Sequence, residues 1–348
     1  MFPADVTFHP SWWHQNAGVC FDERFFYDAA YRIEQDRNMR RALFEKFGDW
    51  LGEKDPKPRP LLHSDLIACG FLLSELLGAH VIYTTDNAPV VECKNMDSDE
   101  AANLAAPDLD THKLWGRIQA QIDYLMEAFG RVEPCVNFGG VQNIALDLRG
   151  QELFIDFMEN PDSAHHLLGI CADVQLDVGN RLMALSRKIS AGVSAIVKKT
   201  VRDVYLTSNC TVDMISEATY KEFLLPYDNK LAEAFPVFGL HHCGSTMEHV
   251  AGAYAQINNL AFAEVGAGSD LRTVRMMLPH VFLNARYSPV QLASTTAREL
   301  RKDIDKLKKD GSPEALLSIS CVGIDTHVQD GRVREFLEIC TMEQIEAS

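Results

Sequence analysis

The sequence predicts a (β/α)8 barrel with an N-terminal helical and hairpin extension, and three observations carry that prediction. From Cys135 onward, short apolar runs alternate with amphipathic stretches, the rhythm of βαβ units in a parallel sheet. The chain has 348 residues, enough for one large barrel with an elaboration. Neither a Gly-rich dinucleotide fingerprint nor a phosphate-loop signature follows any of the apolar runs, which favours a closed barrel over an open nucleotide-binding sheet.

The elements follow in order. An aromatic, charged opening (Trp12, Trp13, Phe21, Phe25, Phe26) leads into a helix over 29–47, closed by the turn KDPKPRP at 54–60. Residues 66–77 read as a helix with Ser64 or Asp65 as N-cap. His80 to Cys93, broken at Asn87-Ala88-Pro89, reads as a hairpin, and an amphipathic helix follows over 110–129. The barrel repeat is then CVNFGG with helices 151–159 and 161–188, VYLTSN with 217–234, VFGLHHCG with 246–255, NLAFAEVG with 270–278, VFLNARYS with 290–309, and LLSISCVGI with 331–340. A further unit has room in 188–200. We therefore expect an extension over 1–106 packed on a barrel over 107–348.

Composition narrows the function. A net charge of −16 argues against nucleic acid as a partner, because phosphate contacts need clustered Lys and Arg. The first residues, MFPADVTFHPSWWHQ, lack a basic region followed by an apolar run. The longest apolar stretch, 66–83, contains Ser74, Glu75 and His80 and reads as core, not as a membrane span. A cytoplasmic protein is expected. Nine widely spaced cysteines then imply free thiols and not a disulfide framework, most of them buried.

The chemistry lies at the ends of the apolar runs, where Asn137, Gln142, Asn209, His241-His242-Cys243, Glu264, Asn284 to Tyr287 and Cys321 stand. Strand C-termini of a barrel open on one face, which carries the active site. In an extended segment alternate side chains share a face, so His241 and Cys243 can point inward together while His242 points away. Gly244 lets the chain turn closely behind them. Two thiolates and an imidazole, with Cys321 as the second thiolate, suit Zn²⁺ and leave a fourth position open, as in catalytic sites. A buried strand thiol is the competing reading of Cys321. Glu264 could be a fourth ligand or a proton donor. Asn209 and Tyr287 could orient substrate, and Asn137 and Gln142 could contact a cofactor, or all four could satisfy loop backbone groups. Trp12, Trp13 and Phe21 could wall the barrel mouth or form a satellite core. His165-His166 reads as a solvated helix face. Asp325 and His327 could support the metal ligands or be ordinary loop polarity.

The stretch DMISEATYKEFLLPYDNKLAEAFPVFGLHHCGS resembles the core signature of the uroporphyrinogen-decarboxylase-like superfamily: Tyr220, Phe223, Pro226-Tyr227, then a strand ending His-x-Cys-Gly. Upstream, LRGQELFIDFMENPDSAHHLL is similar to the family's segment around Phe157 and Asn160-Pro161. The resemblance spans roughly 107–341, with Ser216-Glu217 standing where Ser-Pro is usual. Members that decarboxylate uroporphyrinogen use no metal and carry an Arg-rich N-terminal loop, which this sequence lacks. The methyltransferase branch binds zinc through His-x-Cys and a distant Cys, which map onto His241, Cys243 and Cys321. The resemblance thus implies a zinc-dependent methyltransferase that moves a methyl group between a small substrate (a methoxy compound, a methylamine or a thiol acceptor) and a corrinoid. The Asp-x-His-x-x-Gly loop of corrinoid-binding domains is missing, so the cobalamin-type cofactor is expected on a partner corrinoid protein. A metal-free decarboxylase is the alternative.

Overall fold

A computed structural model describes residues 2–187, 189–190 and 196–341. The described residues form nine strands: β1 (Ala4–Phe8), β2 (His80–Ile82), β3 (Val90–Glu92), β4 (Phe138–Gly139), β5 (Tyr205–Ser208), β6 (Phe238–His242), β7 (Leu260–Val265), β8 (Phe282–Tyr287) and β9 (Leu317–Ile324). Seven of them make one curled parallel sheet in the order β1-β9-β8-β7-β6-β5-β4. β2 and β3 form the expected antiparallel hairpin. Every residue of β6 is buried, as a strand covered by side chains on one face and helices on the other must be.

Local sequence explains the helices. Asp28 caps the helix Ala29–Phe47 by accepting from the Tyr31 amide, and Gly48 ends it at φ 66°, a conformation that suits a residue without a Cβ. The helix Pro161–Leu185 has proline at its first turn, where no amide donor is lost. Thr296 and Glu299 form a reciprocal capping box on the helix Ala297–Asp310. Each helix of the repeat then buries one face on the sheet, and helix Asp330–Thr341 sends Val333, Phe336, Leu337 and Cys340 into the core.

Two expectations change, and a third lies largely outside the described residues. Among the described residues the sheet has seven hydrogen-bonded strands with β1 and β4 at its ends, and isolated parallel bridges join Leu61 to Glu133 and Val136 to Ser190. The extra unit sought in 188–200 falls largely outside the described residues, within which Ile196–Thr200 is helical. Within the segment 1–106, β1 joins the parallel sheet and pairs with β9 from Ala4↔Ile319 to Phe8↔Ile324. Finally, residues 66–71 are not helical, and the helix there is confined to Leu72–Leu76. The chain ahead of it runs in close contact with β4, where Gly70 lies beside the backbone of Asn137 and Gly139.

The aromatic opening is core. Trp12, Trp13 and Phe21 are buried; Trp12 stacks on Phe8 at 4.0 Å and meets Trp13 edge-on at 4.9 Å. They wall no part of the cavity described below. Among the described residues no helix is long and apolar enough to cross a membrane.

Candidate metal centre

Backbone pairing at the C-terminal ends of β5 and β6 builds the site. Ser208 is the register partner of His241, and the Asn209 amide donates to the His241 carbonyl at 2.7 Å. The chain leaving β5 therefore turns directly beside the chain leaving β6. That turn is the short helix Cys210–Met214, and it delivers Cys210 to His241 and Cys243. The donor atoms of Cys210, His241 and Cys243 all lie within 4.8 Å of one another.

Neighbouring residues hold each donor in place. Asn143 Oδ1 accepts from the Thr211 amide (3.1 Å) and hydroxyl (2.6 Å), and Gln142 Nε2 donates to the Thr211 carbonyl at 2.9 Å. Both come from the helix Val141–Arg149, whose start lies so close to β5 that a Cβ on Gly140 would sit 2.1 Å from the Ser208 carbonyl oxygen. Only glycine fits that approach. Asn209 donates to Asp228 at 2.8 Å, and the Tyr220 hydroxyl donates to the same carboxylate oxygen. Behind Cys243, Asp213 accepts from the amides and hydroxyls of Ser245 and Thr246 at 2.9–3.1 Å. Gly244 is required there by closeness, since a Cβ would meet Asp213 at 2.8 Å.

His241 is oriented by a carboxylate. Its Nδ1 lies 2.7 Å from Glu264 Oε2, so Nε2 is the nitrogen left for the cysteines. Burial alone would lower the His241 pKa; the Glu264 carboxylate and Cys243 together outweigh it and take it up to about 9. Burial likewise pushes Glu264 up, and His241 and Arg286 (3.6 Å away) bring it below its ordinary value. Between the thiols, the Cys210 hydrogen bond and His241 pull Cys243 down to about 4, while Cys210 is raised well above the usual thiol range. One thiolate is thus favoured before any cation arrives.

Several expected site residues lie elsewhere. Cys321 is not part of the cluster. β9 is separated from β6 by β7 and β8, and the alternation of β9 turns Cys321 away from the interior. Ser318 and Ser320 bond Asn284 on the inner face, so Cys321 shares the outer face with its register partner Tyr287. Burial raises this thiol out of the useful range. Tyr287 packs on Phe336 at 5.9 Å and donates to Asp303 at 2.9 Å, in the helix layer, where it cannot orient substrate. Glu264 reaches the cluster through His241 and is not itself among its three donors. Asn209 and Gln142 support the turn carrying Cys210, and Asn137 lines the adjoining cavity. His242 points the other way, with Nδ1 2.9 Å from the Tyr254 hydroxyl. Of the pair read as a solvated helix face, His166 is exposed, whereas His165 is half-buried and stacks on Phe223 at 4.8 Å. Asp325 and His327 bond each other in an exposed loop.

The cluster opens on a cavity of about 410 Å³, lined by Cys210, His241, Ser208, Asn137, Asn143 and Asp147, and on its other side by Cys69, Phe71, Ser74 and Val91. Among the described lining residues there is no Lys or Arg. The donor chemistry fits zinc: two sulfurs and one imidazole nitrogen form a borderline-soft set, at a spacing that one ion with bonds of ~2.0–2.3 Å can bridge. Zinc held by these three residues would have a fourth position for a substrate atom, as in catalytic zinc sites.

Known proteins place the chain. It shares its fold with a methyltransferase from Methanosarcina mazei at a TM-score of 0.66 and 17% identity, over 97% of this chain and 93% of that one. A B12-independent methionine synthase from Shewanella sp. W3-18-1 aligns over 76% of this chain and 73% of that one, with a TM-score of 0.42 and 11% identity. The sequence matches none of the curated proteins it was compared with. The uroporphyrinogen decarboxylase (URO-D) family model matches residues 66–341, most of the chain, and the protein belongs to that family.

Proposed function

We propose that this protein is a zinc-dependent methyltransferase that passes a methyl group between a small substrate in the 410 Å³ cavity and a corrinoid presented by a separate protein. The observation that carries the proposal is the convergence of Cys210, His241 and Cys243, two of which, Cys210 and His241, line the cavity. Zinc held by these residues would supply a Lewis acid to the heteroatom that gives or receives the methyl group. The chain's own residues do the rest. Glu264 fixes the His241 ring through Nδ1, Asn143 and Gln142 fix the turn bearing Cys210, and Asp213 fixes the turn after Cys243. The apolar side of the cavity shields the reacting groups from water. The Methanosarcina enzyme, named a methyltransferase, supports the proposal by sharing the fold. The further segment bridged at Leu61↔Glu133 supports taking the curled sheet as a (β/α)8 barrel.

A metal-free decarboxylase is the competing function suggested by the family name. A substrate with several carboxylates needs cationic partners, and the described cavity lining offers none. Elemental analysis and a reaction assay test the proposal together. The purified protein is expected to hold about one zinc per chain and to change the visible spectrum of an added corrinoid protein in the presence of its methyl substrate. Absence of zinc, or uroporphyrinogen decarboxylation without it, would overturn the proposal.

A further inference from the structure

Asp147 stands on the cavity wall without a charge partner. Its Oδ2 accepts from the Ser74 hydroxyl at 2.6 Å; among the described residues nothing donates to Oδ1, and no Lys or Arg pairs with the carboxylate. Glu75, the next residue after Ser74, differs: it takes the hydroxyls of Tyr27 (2.5 Å) and Tyr83 (2.9 Å). Burial raises the Asp147 pKa, and only the Ser74 hydrogen bond opposes it. A desolvated carboxylate on an otherwise uncharged wall is costly unless something cationic meets it. The rest of that wall, including Phe71, Val91, Ile144 and Leu146, suits a short hydrocarbon spacer. The net charge of −16 adds long-range attraction for small cations.

We propose that the substrate carries an ammonium group that pairs with Asp147, while its methyl-bearing or methyl-accepting oxygen or sulfur faces Cys210, His241 and Cys243. This names the substrate class of the methyl-transfer site and rests on that function. A plain methylammonium ion is disfavoured, because a protonated amine has no lone pair for a Lewis acid; the heteroatom and the cation must be separate groups.

Calorimetric titration of the zinc-containing protein tests this with matched probes: 2-methoxyethylamine against 1,2-dimethoxyethane, and cysteamine against 2-mercaptoethanol. At neutral pH at least one amine is expected to bind about tenfold or more tighter than its neutral partner, the worth of one charge-assisted contact. Asp147→Asn, which keeps the size and the Ser74 contact, should abolish that ratio without unfolding the protein. Cys210→Ala should weaken both members of a pair and keep the ratio. Equal binding of amine and neutral probe, no binding of either amine, or a ratio that survives Asp147→Asn overturns the proposal. So does a ratio that disappears in Cys210→Ala, because the nitrogen would then be bound at the metal. The wild-type comparison stands whether or not a variant folds. If the ratio is found but zinc or methyl transfer is not, the methyl-transfer function fails and the ammonium site remains.

Discussion

Glu264 Oε2 lies 2.7 Å from His241 Nδ1, on neighbouring strands whose register makes the two residues partners. The carboxylate is buried and bonds the nitrogen that faces away from Cys210 and Cys243. This arrangement fixes which ring nitrogen is offered to a cation and raises its basicity.

Glu264→Gln should therefore lower zinc affinity by roughly 10- to 100-fold while leaving the fold intact. Competition with a colorimetric chelator measures it. An unchanged affinity would show that the ring is held by packing alone.

Cys210→Ala should lose the metal, and Cys321→Ala should keep it. Elemental analysis of the two variants, each checked by circular dichroism, decides between the cluster seen here and the one expected from motif spacing. Retention of zinc by Cys210→Ala would refute the assignment of the third ligand.

Asp228 sets a pH dependence of stability. Burial raises its pKa to about 6, against the hydrogen bonds from Tyr220 and Asn209, so the native state holds this proton more tightly than the unfolded chain does. Its contribution is present below the ordinary aspartate pKa and is lost as pH rises through about 6, amounting to roughly 3 kcal/mol at most. Asp228→Asn should flatten the fall in Tm between about pH 4 and pH 6.5, and its Tm relative to wild type should be higher at pH 8 than at pH 4. A difference that does not vary with pH would mean that Asp228 does not titrate in this range.

Trp12→Ala should cost about 3–5 kcal/mol of stability and leave zinc content unchanged, because Trp12 is buried against Phe8 and Phe47 away from the cavity. Urea unfolding measures the first quantity and elemental analysis the second.

Much of the sheet was legible because periodicity is a local property. The helix over 29–47 is found as Ala29–Phe47, the hairpin at 80–93 is found, and each of the last five apolar runs is a strand. The His241/Cys243 pair was legible for the same reason: alternation along one strand needs no knowledge of its neighbours. The third member of the cluster was not. Choosing between Cys210 and Cys321 requires the strand order, which puts β5 beside β6, and the parity of β9, which turns Cys321 outward; neither is written in spacing. One signal was available: Cys210 directly follows Asn209, itself singled out at the end of VYLTSN. Asp147 was hidden because its helix, Val141–Arg149, follows a strand of two residues and falls between CVNFGG and the helix over 151–159, where no element was read.

The pairing of β1 with β9 also has a consequence for the protein as it is made. Ala4–Phe8 is synthesised long before Leu317–Ile324, its only strand neighbour among the described residues, so this edge stays unpaired until β9 has been made. Cys210, His241, Cys243 and Glu264 emerge well before that. A nascent chain can gather these side chains while the sheet is still open, and a cation bound there early would act as a nucleus on which β5, β6 and β7 assemble.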